Sequence, residues 1–366
     1  NEGIYRYFSF YCVPAPLTIY KGIKKLPPGH YLKYKMGKIE IKEYWDFSYR
    51  PDFKKTEEEF SVTLHHLLVK SLKKRLISDV PLGAFLSGGI DSSIVVGLMS
   101  KILDKPVKTF SIGFEEDRYN ELEYARIIAK TFKTEHHEFV VKPSTVNLIE
   151  KLLGFFDEPF GGPSAIPTFF VSELAKKYVT VALTGDGGDE IFAGYDSYLT
   201  ALKREKLKLL PRWFKYFLAD KIGNRLPYHL PGKGFLQGLP LDEGKRFCLG
   251  VGELWKKDLF SRDFLKKIDK LDSYQIIEKY LLNSFPEYLC KFTYLDTKLL
   301  LPNNILVKVD RMSMANSLET RTLFLDHEIV EFAATIPAGL KIKGSITKYL
   351  LKKSVEDLIP KEILVR

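Results

Sequence analysis

The sequence is poor in features that secreted, membrane and zinc-binding proteins need. Its 366 residues include only three cysteines, Cys12, Cys248 and Cys290, which stand far apart. This excludes a disulfide scaffold or a zinc site built on cysteine pairs, so we expect each cysteine to be a small buried side chain. No apolar run reaches about 18 residues and the start is polar, which argues against a membrane span or signal peptide. A cytoplasmic protein is therefore expected.

Histidine and net charge give little support for metal or nucleic-acid binding. His65-His66 and His136-His137 are adjacent pairs, without the one-turn separation of a helical metal site, so they are expected to be surface or packing residues. The formal net charge of +10 is spread over the chain, and 203–206 is expected to be a solvated helix face. The aromatic cluster at 213–217 is expected to pack in the core.

The segment 87–93, Ser-Gly-Gly-Ile-Asp-Ser-Ser, is the most informative one in the chain. It lies between an apolar run typical of a strand and one with helical spacing. The glycines permit a tight turn and close ligand approach, and the helix start offers N–H groups to a phosphate. A carboxylate repels phosphate unless a cation intervenes, so Asp91 implies Mg²⁺. No Walker-type Gly-x-x-x-x-Gly-Lys-Ser/Thr sequence occurs, and the context disfavours an ordinary strand-to-helix turn.

A second glycine-rich loop, 184–190, reads Thr-Gly-Asp-Gly-Gly-Asp-Glu and follows another predicted strand. Its acids are the hard oxygen ligands that Mg²⁺ prefers. Taken alone, this loop could also be a plain acidic turn, but together with the first loop it favours a metal site. Further on, 310–326 mixes charge and apolar residues, where an arginine–acid network and direct ligand contact are equally open. Lys348, near a predicted helix start, would by itself be a surface lysine.

The pattern of apolar residues predicts an α/β fold with a doubly wound parallel sheet and added helices. Ligands of such sheets bind at the carboxyl ends of strands, where both glycine loops lie. The predicted strands are 81–86, 107–114, 137–141 and 179–184. One predicted helix begins at the capping box of Thr56, and the other predicted helices cover 92–102, 120–132, 146–156 and 168–177.

The first fifty residues are predicted to be β-rich, with no helix. Strands are expected at Tyr5–Cys12, Tyr31–Tyr34 and Ile39–Tyr44, and Met36-Gly37 is a predicted turn. So short a β segment buries too little for a domain, so we expect it to complete a sheet whose other strands are missing or belong elsewhere.

The first loop resembles the pyrophosphate loop of the ATP pyrophosphatase (PP-loop) superfamily. With the other motifs, the resemblance narrows to asparagine synthetases of the glutamine-hydrolysing type. These motifs are 87–93, Thr109–Phe114, Asp157-Glu158-Pro159-Phe160, Thr184–Tyr195, Val309–Asp326 and Gly344–Leu351. The resemblance implies an adenine nucleotide alpha hydrolase-like fold, a synthetase domain over 56–366 and, at 1–50, the last part of a glutaminase domain.

The resemblance also implies a reaction: ATP and aspartate give β-aspartyl-AMP and pyrophosphate on Mg²⁺, and ammonia, from glutamine in the full-length protein, then gives asparagine and AMP. It implies small-molecule substrates, no nucleic acid and no membrane, and it leaves room for a homodimer. Because the chain begins at Asn1 without the family's amino-terminal cysteine nucleophile, the glutamine site is expected to be absent. At Leu323 the family usually has proline, and the change is expected to loosen a turn slightly.

Residue roles follow from the same resemblance. Pyrophosphate would contact Ser87, Gly88, Gly89 and Ser92, and AMP would contact Leu86, Ile112, Thr184 and Gly185. Mg²⁺ would bind Asp91 and Asp189, Asp186 would serve adenylate formation, and Lys348 would stabilise the intermediate. Two alternatives stay open: a β-lactam synthetase or another amide-forming relative that activates a different carboxylate, and a tRNA-modifying PP-loop protein, for which no basic, aromatic-interleaved appendage or cysteine set is present.

Overall fold

The computed structural model of the protein describes residues 1–115, 121–141, 149–227, 230, 232–241, 256, 258–268 and 271–365. The strands are β1 His30–Lys35, β2 Lys38–Glu43, β3 Leu82–Phe85, β4 Lys108–Phe114, β5 Glu135–Val141, β6 Val181–Thr184 and β7 Glu319–Thr322. The helices up to the second glycine loop are α1 Glu2–Phe10, α2 Glu57–Arg75, α3 Ile90–Ile102, α4 Leu122–Thr131, α5 Ile149–Leu153, α6 Ala165–Lys176 and α7 Gly188–Phe192.

Beyond this loop the described chain is mainly helical, as the sequence predicted. The helices are α8 Asp196–Lys206, α9 Arg212–Phe217, α10 Lys233–Gln237, α11 Arg262–Lys267, α12 Gln275–Leu281, α13 Tyr288–Leu295, α14 Leu306–Met314, α15 His327–Ala333, α16 Ala338–Lys341, α17 Tyr349–Lys353 and α18 Lys361–Leu364. Two π-helical segments, Leu218–Ile222 and Asp296–Ile305, and the 3₁₀ turn Gly223–Arg225 continue these helices.

Five strands form one parallel sheet in the order β5-β4-β3-β6-β7. The chain runs outward from β3 to β5 and returns to β6 on the other side of β3, so the strand order reverses between β3 and β6. Helices α2, α3 and α4 share the main apolar core at one face of the sheet, whereas α6 contacts β4 and β5 and packs with α14. The predicted α/β fold with a parallel sheet is confirmed. The pattern missed β7, whose four residues are Glu-Thr-Arg-Thr and carry no apolar alternation.

Helix α2 begins where the sequence predicted. The Thr56 hydroxyl accepts a hydrogen bond from the Glu59 N–H at 3.2 Å, and the Thr56 N–H donates to the Glu59 carboxylate at 2.7 Å. This reciprocal capping box satisfies two N–H groups that a helix start leaves free. Phe60, Leu64 and Leu68 follow at intervals of four residues and are fully buried, which anchors α2 on the core.

The first fifty residues differ from the prediction. Residues 2–10 form helix α1, not a strand, and Tyr5 and Phe8 pack their rings on Phe260. The dense aromatic residues suit either structure, and burial at positions three to four apart favours the helix. The hairpin β1–β2 is confirmed, and its turn residues Met36 and Gly37 both have positive φ. It forms a two-stranded sheet of its own in the described chain, and its place in a larger sheet stays a prediction. The domain division at 50–56 stays a prediction.

Other expectations about burial had mixed outcomes. Cys12 and Cys290 are buried free thiols, as predicted, whereas Cys248 lies outside the described residues, as do the predicted helix starts at 120 and 146. The aromatic cluster is not core: Trp213 is 71% exposed, and Tyr216 and Phe217 are about half exposed. Helix α9 buries none of its residues fully, so an aromatic-rich stretch was mistaken for a buried one. No helix in the described ranges is long and apolar enough to span a membrane.

We predict that Thr56→Ala lowers the free energy of unfolding by about 1 kcal/mol, because it removes the hydroxyl that accepts from Glu59. Urea denaturation monitored by circular dichroism measures this change. Thr56→Ser keeps the hydroxyl and is the matched control. Equal losses in the two variants would show that the cap contributes little.

Candidate active site

The two glycine-rich loops lie side by side at the carboxyl edge of the sheet. The first, 87–93, runs from the end of β3 into the first turn of α3, and the second, 184–190, runs from the end of β6 into α7. Because β3 and β6 are neighbouring strands on either side of the reversal in strand order, their loops open into the same crevice. The sheet topology thus brings together two motifs that are almost a hundred residues apart.

Hydroxyl groups fix the shape of the first loop. The Ser87 N–H donates to the Ser92 hydroxyl at 3.1 Å, and the Gly89 N–H donates to the Ser87 hydroxyl at 3.2 Å. Gly88 has a φ of +75°, and a Cβ there would lie 2.5 Å from the Cβ of Tyr124. Only glycine fits this position, so α4 and α3 can close on the loop.

Glycines of the second loop pack directly on Asp91 of the first. A Cβ on Gly185 would lie 2.8 Å from the Asp91 Cβ, and one on Gly188 would lie 2.7 Å from the Asp91 Cγ. Any larger residue would push the loops apart. The two motifs that the sequence singled out therefore form one site.

Lys348 joins the two loops and is not a surface lysine. Its ammonium lies 2.5 Å from Asp91 Oδ2 and 2.6 Å from Asp189 Oδ1, and its side chain is only 7% exposed. It stands directly before α17 in a left-handed conformation, with a φ of +52°. Burial acts to lower the pKa of Lys348, but the two carboxylates outweigh it and raise that pKa overall.

The residues around Asp91 suit a divalent cation. Its Oδ1 atom is buried and has no hydrogen-bond partner in the described chain, which is costly for a carboxylate. Burial raises the pKa of Asp91 to about 6, opposed by Lys348 and assisted by Asp189. A cation bound to the free oxygen and to Asp189 would satisfy both groups, so the donor set fits Mg²⁺.

A second acidic cluster is less suited to a metal. Asp326, His327 and Glu328 bring three possible ligand atoms within 4.8 Å of one another. Its carboxylates, however, already pair with Lys74, at 3.2 Å from Asp326 and 3.1 Å from Glu328. The cluster is therefore charge-compensated, and Asp326 also caps α15.

Two cavities adjoin the loops. The first, which we call the apolar cavity, has a volume of about 270 Å³ and is lined by Leu86, Ile112, Phe114, Leu122 and Val171 among others. The second, the acidic cavity, has a volume of about 410 Å³ and is lined by Asp91, Ser92, Thr184, Gly185, Asp186, Asp189 and Glu190, and across from them by Ser164, Ile305, Lys308 and Val309. Phe85, Ser87 and Thr168 line both, so the two cavities adjoin.

The structure therefore brings together the residues that the sequence singled out. Gly88 and Gly89 form the loop itself and do not line either cavity, and Lys348 contacts both proposed metal ligands. Sequence reasoning did not assign the lining residues Ser164, Ile305 and Lys308, which lie at the start of α6, in the π-helical segment and in α14. These residues are scattered and lack a compact motif, and no signal in the single sequence marks them.

Two buried acids each pair with a tyrosine, and one of them, Glu190, lines the acidic cavity. Glu190 accepts a hydrogen bond from the Tyr195 hydroxyl, and Asp296 accepts one from the Tyr198 hydroxyl. Burial raises the pKa of Glu190 to about 7 and that of Asp296 to about 8, although the tyrosine hydrogen bonds oppose the shift. Both carboxyls are thus held largely protonated below neutral pH.

The segment 310–326 forms a structural network and does not line the cavities. Arg321 donates to the backbone carbonyls of Arg75 and Ile77, at 2.9 Å and 2.7 Å. Asp326 pairs with Arg75 at 3.0 Å, so β7 and α15 are tied to the end of α2. Leu323 is fully buried in the main apolar core, and the expectation that it loosens a turn stays a prediction.

Comparison with known proteins agrees with these motifs. A family model described as asparagine synthase matches residues 63–366. The chain belongs to the asparagine synthase family. It is 35% identical over 373 residues to asparagine synthetase [glutamine-hydrolyzing] 1 of Bacillus subtilis, covering 100% of this chain and 58% of that protein. It is 38% identical over 332 residues to a putative asparagine synthetase [glutamine-hydrolyzing] 2 of Methanocaldococcus jannaschii, covering 86% of this chain and 61% of that protein.

The chain thus spans about three fifths of the length of these curated relatives. A solved NMN synthetase from Francisella tularensis shares 17% identity with a TM-score of 0.26, covering 39% of this chain and 60% of that one. That structural similarity is too weak to bear on fold or function.

We predict that Asp296→Asn reduces the pH dependence of folding. A carboxyl with a pKa of about 8 in the folded state stays protonated where the unfolded chain releases its proton, so folding stability falls as pH rises from about 4 to about 8. Asparagine cannot ionise, so at pH 8 the free energy of unfolding of the variant should be higher than that of the wild type by about 1 kcal/mol or more. Urea denaturation at several pH values tests this, and Asp263→Asn, at an 87% exposed side chain, is the control.

Proposed function

We propose that this chain is the synthetase portion of an asparagine synthetase. ATP would adenylate the side-chain carboxylate of aspartate, releasing pyrophosphate, and ammonia would then displace AMP from β-aspartyl-AMP to give asparagine. One observation carries the proposal: the Ser-Gly-Gly-Ile-Asp-Ser loop, the acidic glycine loop and Lys348 meet at the carboxyl ends of β3 and β6 in a member of the asparagine synthase family.

The apolar cavity suits the adenine ring of ATP. Leu86 and Ile112 give this cavity an apolar wall, and Thr184 and Gly185 line the adjoining acidic cavity. The AMP part of the nucleotide would lie between the two strands that end here.

The first loop suits the leaving pyrophosphate. Helix α3 starts at Ile90, so its free N–H groups and the hydroxyls of Ser87 and Ser92 face the crevice. Mg²⁺ held by Asp91 and Asp189 would neutralise the growing charge on the pyrophosphate when bound. Lys348 adds a fixed buried cation at the same place, which is the position where charge develops in the transition state.

The acidic cavity suits the acceptor carboxylate. Asp186 lines it between the two loops, and its backbone carbonyl accepts a hydrogen bond from Thr322 of β7, which fixes the loop. In the longer protein we propose that ammonia comes from glutamine, hydrolysed by a domain whose last part is 1–50. An amide-forming relative with the same loops that activates another carboxylate is the alternative.

Pyrophosphate exchange tests the proposal most directly. The chain is incubated with ATP, Mg²⁺, labelled pyrophosphate and, in turn, aspartate, glutamate, asparagine or an N-carboxyalkyl amino acid. Exchange that depends on aspartate, together with asparagine formation from ammonium salts, is the expected result. Exchange with another carboxylate only would replace aspartate as the acceptor, and exchange with none would contradict the proposal.

We predict that Asp91→Asn and Asp189→Asn each reduce exchange by several orders of magnitude while the circular dichroism spectrum is unchanged. Each change removes a charge that faces the proposed cation, and neither removes a core side chain. Exchange assays over a range of Mg²⁺ concentrations measure the loss. Near-normal exchange in either variant would remove that residue from the metal site.

We predict that Lys348→Ala lowers the turnover number far more than it raises the KM for ATP. A buried cation near the leaving group contributes most when charge develops in the transition state. Steady-state kinetics and a direct ATP-binding measurement separate the two effects. If only the KM for ATP changed, Lys348 would be a ground-state contact.

A further inference from the structure

The acidic cavity has two walls of opposite character. One wall is the glycine loop with Asp186, Asp189 and Glu190, and the other is the face of α14 that carries Lys308 and Val309. The nucleotide loops lie at one end, where the cavity adjoins the apolar cavity. A reactant with its reacting end at the loops would extend toward α14.

Among the described residues that line this cavity, Lys308 is the one basic side chain. It makes no ion pair with another described side chain, in contrast to its neighbour Arg311, which pairs with Asp157 at 2.5 Å. Lys348, the other cation of the site, is already held between Asp91 and Asp189. Lys308 thus lines the reactant cavity without a direct ion pair to any described side chain.

A lysine that lines a cavity without a direct ion pair is available to bind an anionic group of the reactant. The triphosphate has its own partners at the first loop, in the helix start and in Lys348. The remaining reactant is the acceptor, whose one carboxylate must face the nucleotide to be adenylated. A second carboxylate on the same molecule would reach the wall that carries Lys308.

We propose that Lys308 binds a second carboxylate of the acceptor and thereby selects dicarboxylic acceptors. The inference rests on the proposed function and names its substrate class: for aspartate, Lys308 would pair with the α-carboxylate while the side-chain carboxylate reacts. Lys308 is then a specificity-determining residue, and acceptors with a single carboxylate are disfavoured because the lysine loses its partner.

The wild-type protein tests this without any substitution. Succinate keeps both carboxylates of aspartate and lacks its amino group, whereas β-alanine lacks the α-carboxylate. We expect succinate to support more pyrophosphate exchange than β-alanine at equal concentration. The opposite order would overturn the inference. Absence of exchange with aspartate itself would instead contradict the proposed function, so the two failures are distinguishable.

Substitution of the lysine gives the second test. Lys308→Gln should lower kcat/KM for aspartate about 10- to 100-fold, as expected for a lost hydrogen bond between charged groups, and leave the KM for ATP within about twofold. Lys308→Arg should recover much of the loss. For β-alanine, which has no group for Lys308 to bind, Lys308→Gln should change kcat/KM little.

Lys177→Gln is the matched control, because it removes the same charge from an exposed position at the end of α6, away from the cavity. It should leave all constants unchanged. Equal losses with aspartate and β-alanine in Lys308→Gln, or a loss confined to the KM for ATP, would make Lys308 a nucleotide or structural contact and overturn the inference. If Lys308→Gln fails to fold, the comparison of succinate with β-alanine decides.

Discussion

The site depends on one buried charge cluster, in which the Lys348 ammonium bridges Asp91 and Asp189. Its three members come from the first loop, the second loop and the start of α17, so this contact sets the distance between three separate parts of the chain. Removal of charges from water is costly, so a lysine as buried as Lys348 requires its carboxylate partners. The cluster therefore helps to position the loops, together with the glycine packing and the sheet.

The backbone makes that cluster sterically feasible. Gly185 and Gly188 pass so close to Asp91 that no side chain fits between them, and Gly194 leaves room for Asp189 and Lys348 in the same way. The parallel sheet supplies the alignment, because β3 and β6 are adjacent and end at the same level. Glycine loops, sheet order and buried lysine thus form a single arrangement, and any one of them alone would be an ordinary structural feature.

The sequence predicted the parts of this arrangement that depend on local patterns. Residues that are close in sequence determine the Thr56 capping box, the strand before each glycine loop and the clustering of acids near glycines. Lys348 could be assigned a role only through the family resemblance, because a lysine without other signals is usually exposed. The wall with Lys308 escaped prediction, since contacts made by α14 across the sheet edge are set by tertiary packing and leave no local pattern.

The errors have the same physical origin. Helix α1 and the exposed Trp213 both involve aromatic-rich segments, in which hydrophobicity is high whether the segment forms a helix or a strand, and whether it is buried or exposed. Strand β7 is short and polar, so it is defined by its pairing with β6 and not by its own residues.

Four acids line the acidic cavity, Asp91, Asp186, Asp189 and Glu190, yet the reactants we propose for it are anionic. Under that proposal, cations must decide its occupancy: bound Mg²⁺, Lys348 and Lys308 would each compensate a different anion, which explains why three separate cations are needed around one small cavity.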